Sequence, residues 1–315
     1  MGYLLTLVEF FAGIVAAVFI FNIVVMIRLP ARVRKAELLF EHDDVGEAFH
    51  IVEKVLQRRK GFIPAMYLKA KILKRQRQYI LAIAEVNDIL KNGDFGRFVS
   101  ELDLHYLLAD LYARQHLFHK ELEEYRIIMK LSPNDVTANH AIGLHMYKQK
   151  KYRESRDMLI RALAGDSKLT DTFLPIGIAS YNLSEYGKAE EFLLKAIDSQ
   201  TAPSAEAYYH LGMIYKMKKD TENAIRMFEF TKRDPEYALN GALRIGEIYF
   251  EREMYQQAIE VLEGNISWIR QREDASIAYR YLLAECYEME NMIKEAVHHW
   301  EKIQSERPNY KSTQM

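Results

Sequence analysis

The sequence predicts an all-α fold of about eight helix–turn–helix repeats. Two observations carry this prediction: small residues recur at nearly constant intervals, and a second series of small residues precedes the first. A third is that 49% of the 315 residues are apolar, which is ample for a buried core. Because repeats pack mainly on their sequence neighbours, a chain of this length need not divide into ordinary globular domains.

The two series define the repeats. The second helices are marked by a small residue, which Glu121 replaces in the third repeat. These positions are Ala48, Ala82, Glu121, Ser155, Ala189, Ala224, Ala258 and Ala296, at intervals of 34, 39, 34, 34, 35, 34 and 38. Those of the first helices are Ala36, Ala70, Ala109, Gly143, Gly177, Gly212, Gly246 and Ala284. Small side chains at both places let paired helices approach closely. The two long intervals predict insertions near 91–100 and 264–274, in loops or helix ends.

The clearest repeat is AEAYYHLGMIYKMKKDTENAIRMFEFTKRDP, residues 205–235. Tyr208, Leu211, Gly212 and Tyr215 fall on one helical face, and Ala224 falls on a second helix. This stretch resembles a tetratricopeptide repeat, a 34-residue helix–turn–helix unit. The resemblance implies a right-handed superhelix whose first helices line a concave groove for protein segments.

The N-terminal run from Tyr3 to Ile27 is almost wholly apolar and long enough to span a bilayer. It predicts one transmembrane helix. Basic residues follow the run directly, so the positive-inside rule places the body in the cytoplasm. The predicted organisation is a membrane anchor at 1–28, a degenerate first repeat or juxtamembrane connector at 29–62, the repeat array at 63–310, and a tail at 311–315.

The resemblance places a set of mostly apolar side chains in the concave groove, where they would bind a protein partner. An alternative is that several of them only pack between helices. The Lys and Asn residues with which some relatives hold a terminal carboxylate are absent from the corresponding places. The predicted groove residues are Tyr147, Leu174, Ile178, Tyr181, Tyr209, Met213, Leu243 and Phe250.

Basic residues crowd the first two repeats, near the predicted anchor. Lys69, Lys71, Lys74 and Arg75 would attract anionic lipid if they faced a membrane. The alternative is a solvated helix face.

Other functional classes have little support in the sequence. A formal net charge of −1 argues against general nucleic-acid binding. The lone Cys286 excludes an internal disulfide framework and a cysteine-based zinc site. The phosphate-loop, HExxH and nucleophile-elbow motifs are absent. We therefore expect no enzyme activity, no metal and no cofactor.

An anchor followed by such repeats resembles the lipopolysaccharide assembly protein B family, but the paired cysteines of its rubredoxin-like domain are missing. The predicted function is a membrane-anchored scaffold or adaptor that organises a complex at a bacterial inner membrane. Spirochaetal flagellar-motor collar proteins are similar too, and they give the alternative of a periplasmic structural subunit. The last repeat carries no capping helix, so self-association or a partner is expected at the C-terminal end.

Overall fold

A computed structural model describes residues 15–16, 28–92, 99–199, 204–266 and 273–307. Throughout these residues the secondary structure is helical, which confirms the all-α prediction. A first helix, α1, is described over 28–41. The helices that follow are α2 Val45–Arg58, α3 Ile63–Arg75, α4 Tyr79–Asn92, α5 Glu101–Arg114, α6 Phe118–Leu131, α7 Val136–Lys148, α8 Tyr152–Gly165, α9 Phe173–Asn182, α10 Tyr186–Asp198, α11 Ala205–Met217, α12 Thr221–Phe230, α13 Pro235–Glu251, α14 Tyr255–Asn265, α15 Glu273–Met289 and α16 Ile293–Glu306.

Within the described residues these helices form eight successive pairs, as the sequence predicts. In every pair the first helix ends with a residue in the left-handed conformation. The amide of the next residue then donates to the carbonyl five residues earlier, as Asp220 does to Tyr215 at 3.0 Å. This is the Schellman ending. The left-handed residues are Asp43, Arg77, His116, Lys150, Ser184, Lys219, Glu253 and Asn291, with φ between 57° and 68°.

Paired helices approach closely because a small residue on the first faces a large one on the second. A Cβ added to Gly212 would lie 2.6 Å from a ring carbon of Phe228. At the equivalent places in three other repeats, the same Cβ would lie 2.7–2.9 Å from a leucine side chain. These contacts are Gly143 with Leu159, Gly177 with Leu193 and Gly246 with Leu262.

Seven of the eight predicted small residues on second helices are at most 1% exposed. Glu121 is the exception and is only partly buried. Ser155 is accommodated because its hydroxyl donates to the carbonyl of Gly143 at 2.9 Å. A small side chain with a satisfied hydroxyl thus replaces alanine without leaving a buried polar atom unpaired.

The chain divides into two compact units, Met1–Ala141 and Ile142–Met315. In the first unit one core cluster joins α1, α2 and α3, and another joins α3, α4 and α5. The second unit has one cluster around α9, α10 and α11, and further clusters along α12 to α16. Residues 29–62, predicted to be a degenerate repeat or a connector, correspond to the helix pair α1 and α2, which shares its core cluster with α3.

No helix among the described residues is long and apolar enough to cross a membrane. The helices α13 and α15 have 17 residues each, whereas a span needs about 20 consecutive apolar residues. Apolar side chains in these helices pack on neighbouring helices. The predicted localisation as a single-pass inner-membrane protein is wrong by this finding, and we do not carry it further.

Several predicted features fall outside the described residues. They include the apolar run at 3–27, apart from positions 15 and 16, and most of both insertions, at 93–98 and 267–272. The C-terminal residues 308–315 also lie outside, so the predicted partner contact at that end stays a prediction. The domain boundaries that depend on these segments likewise stay predictions.

We predict that Gly212→Ala lowers the free energy of unfolding by about 1–3 kcal/mol, because the new methyl group overlaps Phe228 and forces the helices apart. Chemical denaturation monitored by circular dichroism measures this loss. Adding Phe228→Val should restore part of the stability. The first repeats already place alanine and valine at these two positions, as Ala70 and Val86 do in one core cluster.

Gly187→Ala is the matched control, since a Cβ there would meet no atom within 4 Å. It should leave stability unchanged or raise it by up to about 1 kcal/mol through better helix propensity. Equal losses for the two alanine variants would contradict the close-approach explanation.

Candidate protein-binding surface

All eight predicted groove residues lie on first helices of the second unit. Tyr147 is on α7, and Leu174, Ile178 and Tyr181 are on α9. The others are Tyr209 and Met213 on α11, and Leu243 and Phe250 on α13. The structure thus places the set on consecutive first helices, α7, α9, α11 and α13.

Burial divides this set into core residues and surface residues. Ile178 and Leu243 are only 3% and 8% exposed and belong to core clusters, so they are not accessible to a partner. The other six are partly exposed. They also pack against the cores, which fixes their positions. We define the first-helix face as the partly exposed residues Tyr147, Leu174, Tyr181, Tyr209, Met213 and Phe250, with the polar neighbours described next.

An aromatic cluster occupies the middle of the first-helix face. The ring of His210 lies 4.8 Å from Tyr181 and 5.7 Å from Tyr209, both edge-to-face. Tyr209 also lies 5.7 Å from Tyr237 on α13. Rings packed in this way hold each other in place, so a partner would meet a pre-ordered aromatic surface.

Burial governs the protonation of His210. It lowers the pKa of His210 to about 4. Among the described residues, its buried Nδ1 has no hydrogen-bond partner. The imidazole is therefore neutral at physiological pH and acts as part of the aromatic cluster rather than as a charge.

A charged network borders the cluster. Arg244 donates to Glu247 at 2.5 Å, and Lys216 donates to the other oxygen of Glu247 at 2.6 Å. The Nε of Arg244 also points at the hydroxyl of Tyr209, 3.5 Å away. Burial alone would raise the pKa of Glu247, but its two cationic partners hold the pKa below the ordinary value. The cations on this side of the face are thus already matched.

Glu206 lies at the start of α11, and its charge environment differs from that of Glu247. The hydroxyl of Tyr147 lies 3.4 Å from its carboxylate, and Tyr237 also hydrogen-bonds to it. Among the described residues, no cation pairs with Glu206. Burial raises the pKa of Glu206 despite the two tyrosine hydrogen bonds, and burial, with the nearby carboxylate, raises the pKa of Tyr147 and Tyr237 as well. The face therefore carries one partly buried carboxylate without a counter-charge.

Sequence reasoning missed four members of this face: Glu206, His210, Tyr237 and Arg244. A signal was present, since Glu206, Tyr209, Met213 and Lys216 are spaced three or four residues apart along one helical stripe. The sequence prediction selected mostly apolar positions as groove residues and left out the polar residues beside them.

The predicted lipid-facing basic patch lies on α3 in the first unit, and each member has an acidic neighbour. Lys69 contacts Glu53 and Glu85 at 2.9 and 2.7 Å. The remaining pairs are Lys71 with Glu37 at 4.0 Å, Lys74 with Asp110 at 2.7 Å, and Arg75 with Asp43 at 2.8 Å. Lipid binding by these four residues stays a prediction, and their pairing reduces the positive charge available for it.

In the part of the chain that the structure describes, two kinds of reactive site can be assessed: the cysteine thiol and clusters of metal-binding side chains. Cys286 is fully buried, and burial raises the pKa of its thiol to about 12. Because the thiolate is the reactive form, this cysteine is a structural residue. No group of three His, Cys, Asp or Glu residues able to hold a metal is found within the described ranges.

We predict that His210 makes the protein less stable in mild acid. Its pKa is about 4 when folded and 6.5 in the reference state, so the unfolded chain binds the proton first as pH falls. The resulting loss of stability between those values is about 3 kcal/mol. Denaturation at a series of pH values measures the slope.

His210→Phe should reduce this slope without removing it, because burial also lowers the pKa of His299 to about 4 and that residue titrates in the same range. His42→Phe, at an exposed position in the first unit, is the control and should leave the slope as in the wild type. An unchanged slope in His210→Phe would contradict the assignment of a buried neutral imidazole.

A family profile described as tetratricopeptide repeat matches residues 205–229, within the stretch that the sequence analysis singled out. Anaphase-promoting complex subunit 7 from Homo sapiens is 29% identical over 85 residues, 27% of this chain and 14% of that protein. The Mus musculus protein is 28% identical over the same length. This chain thus spans about a seventh of the length of these curated relatives.

Solved structures share the fold. The structure of Naa15/Naa10 bound to HypK-THB has a TM-score of 0.53 at 16% identity, covering 90% of this chain and 43% of that one. YrrB, described as a TPR protein with an unusual peptide-binding site, has a TM-score of 0.45 at 20% identity, covering 60% of this chain and 90% of that one. At sequence identities of 16% and 20%, these structural similarities concern the fold alone. The chain thus contains one stretch that matches the tetratricopeptide repeat profile, within a series of eight helix pairs among the described residues.

Proposed function

We propose that this protein is a scaffold that binds a segment of another protein on the first-helix face of its second unit. One observation carries the proposal: partly exposed aromatic side chains from α7, α9, α11 and α13 share one set of first helices, and those on α9, α11 and α13 are held by ring contacts. Large, ordered aromatic side chains contribute much of the binding energy at protein interfaces. The proposal assigns no catalytic role and no membrane anchor.

The chemistry of the face indicates the kind of segment that would bind. Tyr181, Tyr209, Met213 and Phe250 offer apolar contact area, so the segment should carry apolar side chains. Glu206 offers a carboxylate with no cation paired to it among the described residues, whereas Arg244 and Lys216 are matched by Glu247 and Glu251. A lysine or arginine beside the apolar residues of the segment would complement Glu206.

The human relative is named as a subunit of the anaphase-promoting complex, and a scaffold role for this chain agrees with that name. The shared region is short. The kind of segment that binds is therefore inferred from the surface rather than from the relative.

The test compares partner capture by two double variants of the full chain. Tyr181→Ala with Tyr209→Ala removes two aromatic anchors, and each such truncation at an interface centre commonly costs about 2 kcal/mol. We expect affinity-tagged protein carrying both changes to lose its specific partners by at least about tenfold. Quantitative mass spectrometry of the captured proteins gives the comparison.

Ile160→Ala with Leu194→Ala is the control, because both side chains are exposed apolar residues on second helices of the same unit. This variant should retain the partners. Thermal unfolding of both variants checks that they are folded at the capture temperature. Partner yields that stay at the wild-type level in the tyrosine variant would refute the first-helix face as the binding site.

A further inference from the structure

A cavity in the first unit has a different chemistry from the first-helix face described above. Its volume is about 420 Å³, within the usual range for ligand sites. Five cationic side chains and two aromatic rings line it: Lys71, Lys74, Arg75, Arg77, Arg114, Phe40 and Tyr79. These residues come from α1, α3 and α5, the turn after α3, and the start of α4. We call it the cationic pocket.

Positive charge exceeds negative charge around the cationic pocket. Three carboxylates pair with its cations: Glu37 with Lys71, Asp43 with Arg75, and Asp110 with both Lys74 and Arg114. Five cations against three carboxylates leave a formal charge of +2. Arg77 is exposed and has no acidic partner among the described residues. An anion entering the pocket therefore meets an uncompensated charge.

The pairing also fixes two of the three guanidinium groups, those of Arg75 and Arg114. Arg75 contacts Asp43 at 2.8 Å and lies over the ring of Phe40, 5.4 Å from its centre. Arg114 donates to both oxygens of Asp110 at 3.0 and 3.2 Å. Burial alone would raise the pKa of Asp110, but Lys74 and Arg114 keep the pKa below its ordinary value, so this carboxylate stays charged. Pre-ordered guanidinium groups lose little conformational entropy when they bind an anion.

The excess charge matches a phosphate monoester, which carries about −1.5 to −2 at neutral pH and three acceptor oxygens. A carboxylate would leave half of the excess unmatched. The pocket is concave, so it receives a group that projects from a chain more readily than a flat bilayer surface. Clusters of arginine are a general means of recognising phosphorylated segments.

We propose that the cationic pocket binds the phosphoryl group of a phosphoserine or phosphothreonine on a partner protein. This site is separate from the proposed function, because its residues are on other helices and its ligand is anionic. Either site can therefore fail without the other.

Arg77→Gly gives a sharp test because it separates binding from folding. Arg77 has φ of 62°, a conformation that suits glycine. The variant should be as stable as the wild type or more stable, yet lack the unmatched cation. Lys150→Gly is the matched control: Lys150 has φ of 59° at the same position of another repeat and does not line the pocket. Both changes remove one positive charge.

The probe is a seven-residue peptide of glycine and alanine whose one charged side chain is a central phosphoserine. It is titrated into the full chain by calorimetry at low salt. We expect it to bind at least about tenfold more tightly than the same peptide with serine. Arg77→Gly should weaken binding of the phosphopeptide by about tenfold. Lys150→Gly should change it less than about twofold, because Lys150 does not line the cationic pocket.

Three results would overturn the proposal. The first is equal affinity of Arg77→Gly and wild type for the phosphopeptide. The second is equal affinity for inorganic phosphate and the phosphopeptide, which would indicate a free anion as ligand. The third is binding to vesicles containing phosphatidylinositol phosphate without binding to the phosphopeptide, which would indicate a lipid headgroup.

Discussion

The close approach of paired helices is the contact on which the rest of the structure depends. Where the first helix has glycine, as at Gly212, the second helix places a large side chain such as Phe228 directly against the backbone. Where it has alanine, as at Ala70, the residue in the same place is the smaller Val86. In these repeats the small residue on the first helix sets the separation of the paired helices. That separation determines which side of each first helix is buried and which remains open to a partner.

This pairing explains why the fold could be predicted from the sequence while the site could be predicted only in part. Small residues at fixed intervals are a direct requirement of the contact, and seven of eight predicted positions on second helices are buried. The left-handed residues ending the first helices gave no such signal, because the protein uses Lys150, Ser184 or Glu253 there instead of glycine. Backbone hydrogen bonds of the Schellman ending hold these residues, and any side chain can point to solvent.

The candidate site shows where a prediction of surface residues from apolar positions alone fails. Ile178 and Leu243 satisfy the pattern but are buried, because neighbouring helices cover them. Glu206 and His210 fail the pattern but lie beside the partly exposed tyrosines. Glu206 contacts Tyr147 on α7 and Tyr237 on α13, and His210 contacts Tyr181 on α9. Such contacts join residues that are tens of positions apart. Likewise, the sequence gives no sign that the basic residues on α3 are paired. In the structure, carboxylates from other parts of the chain pair with them.

The central claim is that partner contact occurs on the first-helix face. Site-specific photo-crosslinking in cells tests it most directly, with benzoylphenylalanine replacing Met213 on α11 or, separately, Leu194 on the second helix α10. The account predicts a specific crosslinked protein from position 213, lost when Tyr181→Ala is added, and no such product from position 194. A product of the same identity and yield from position 194, or none from position 213, would contradict the account.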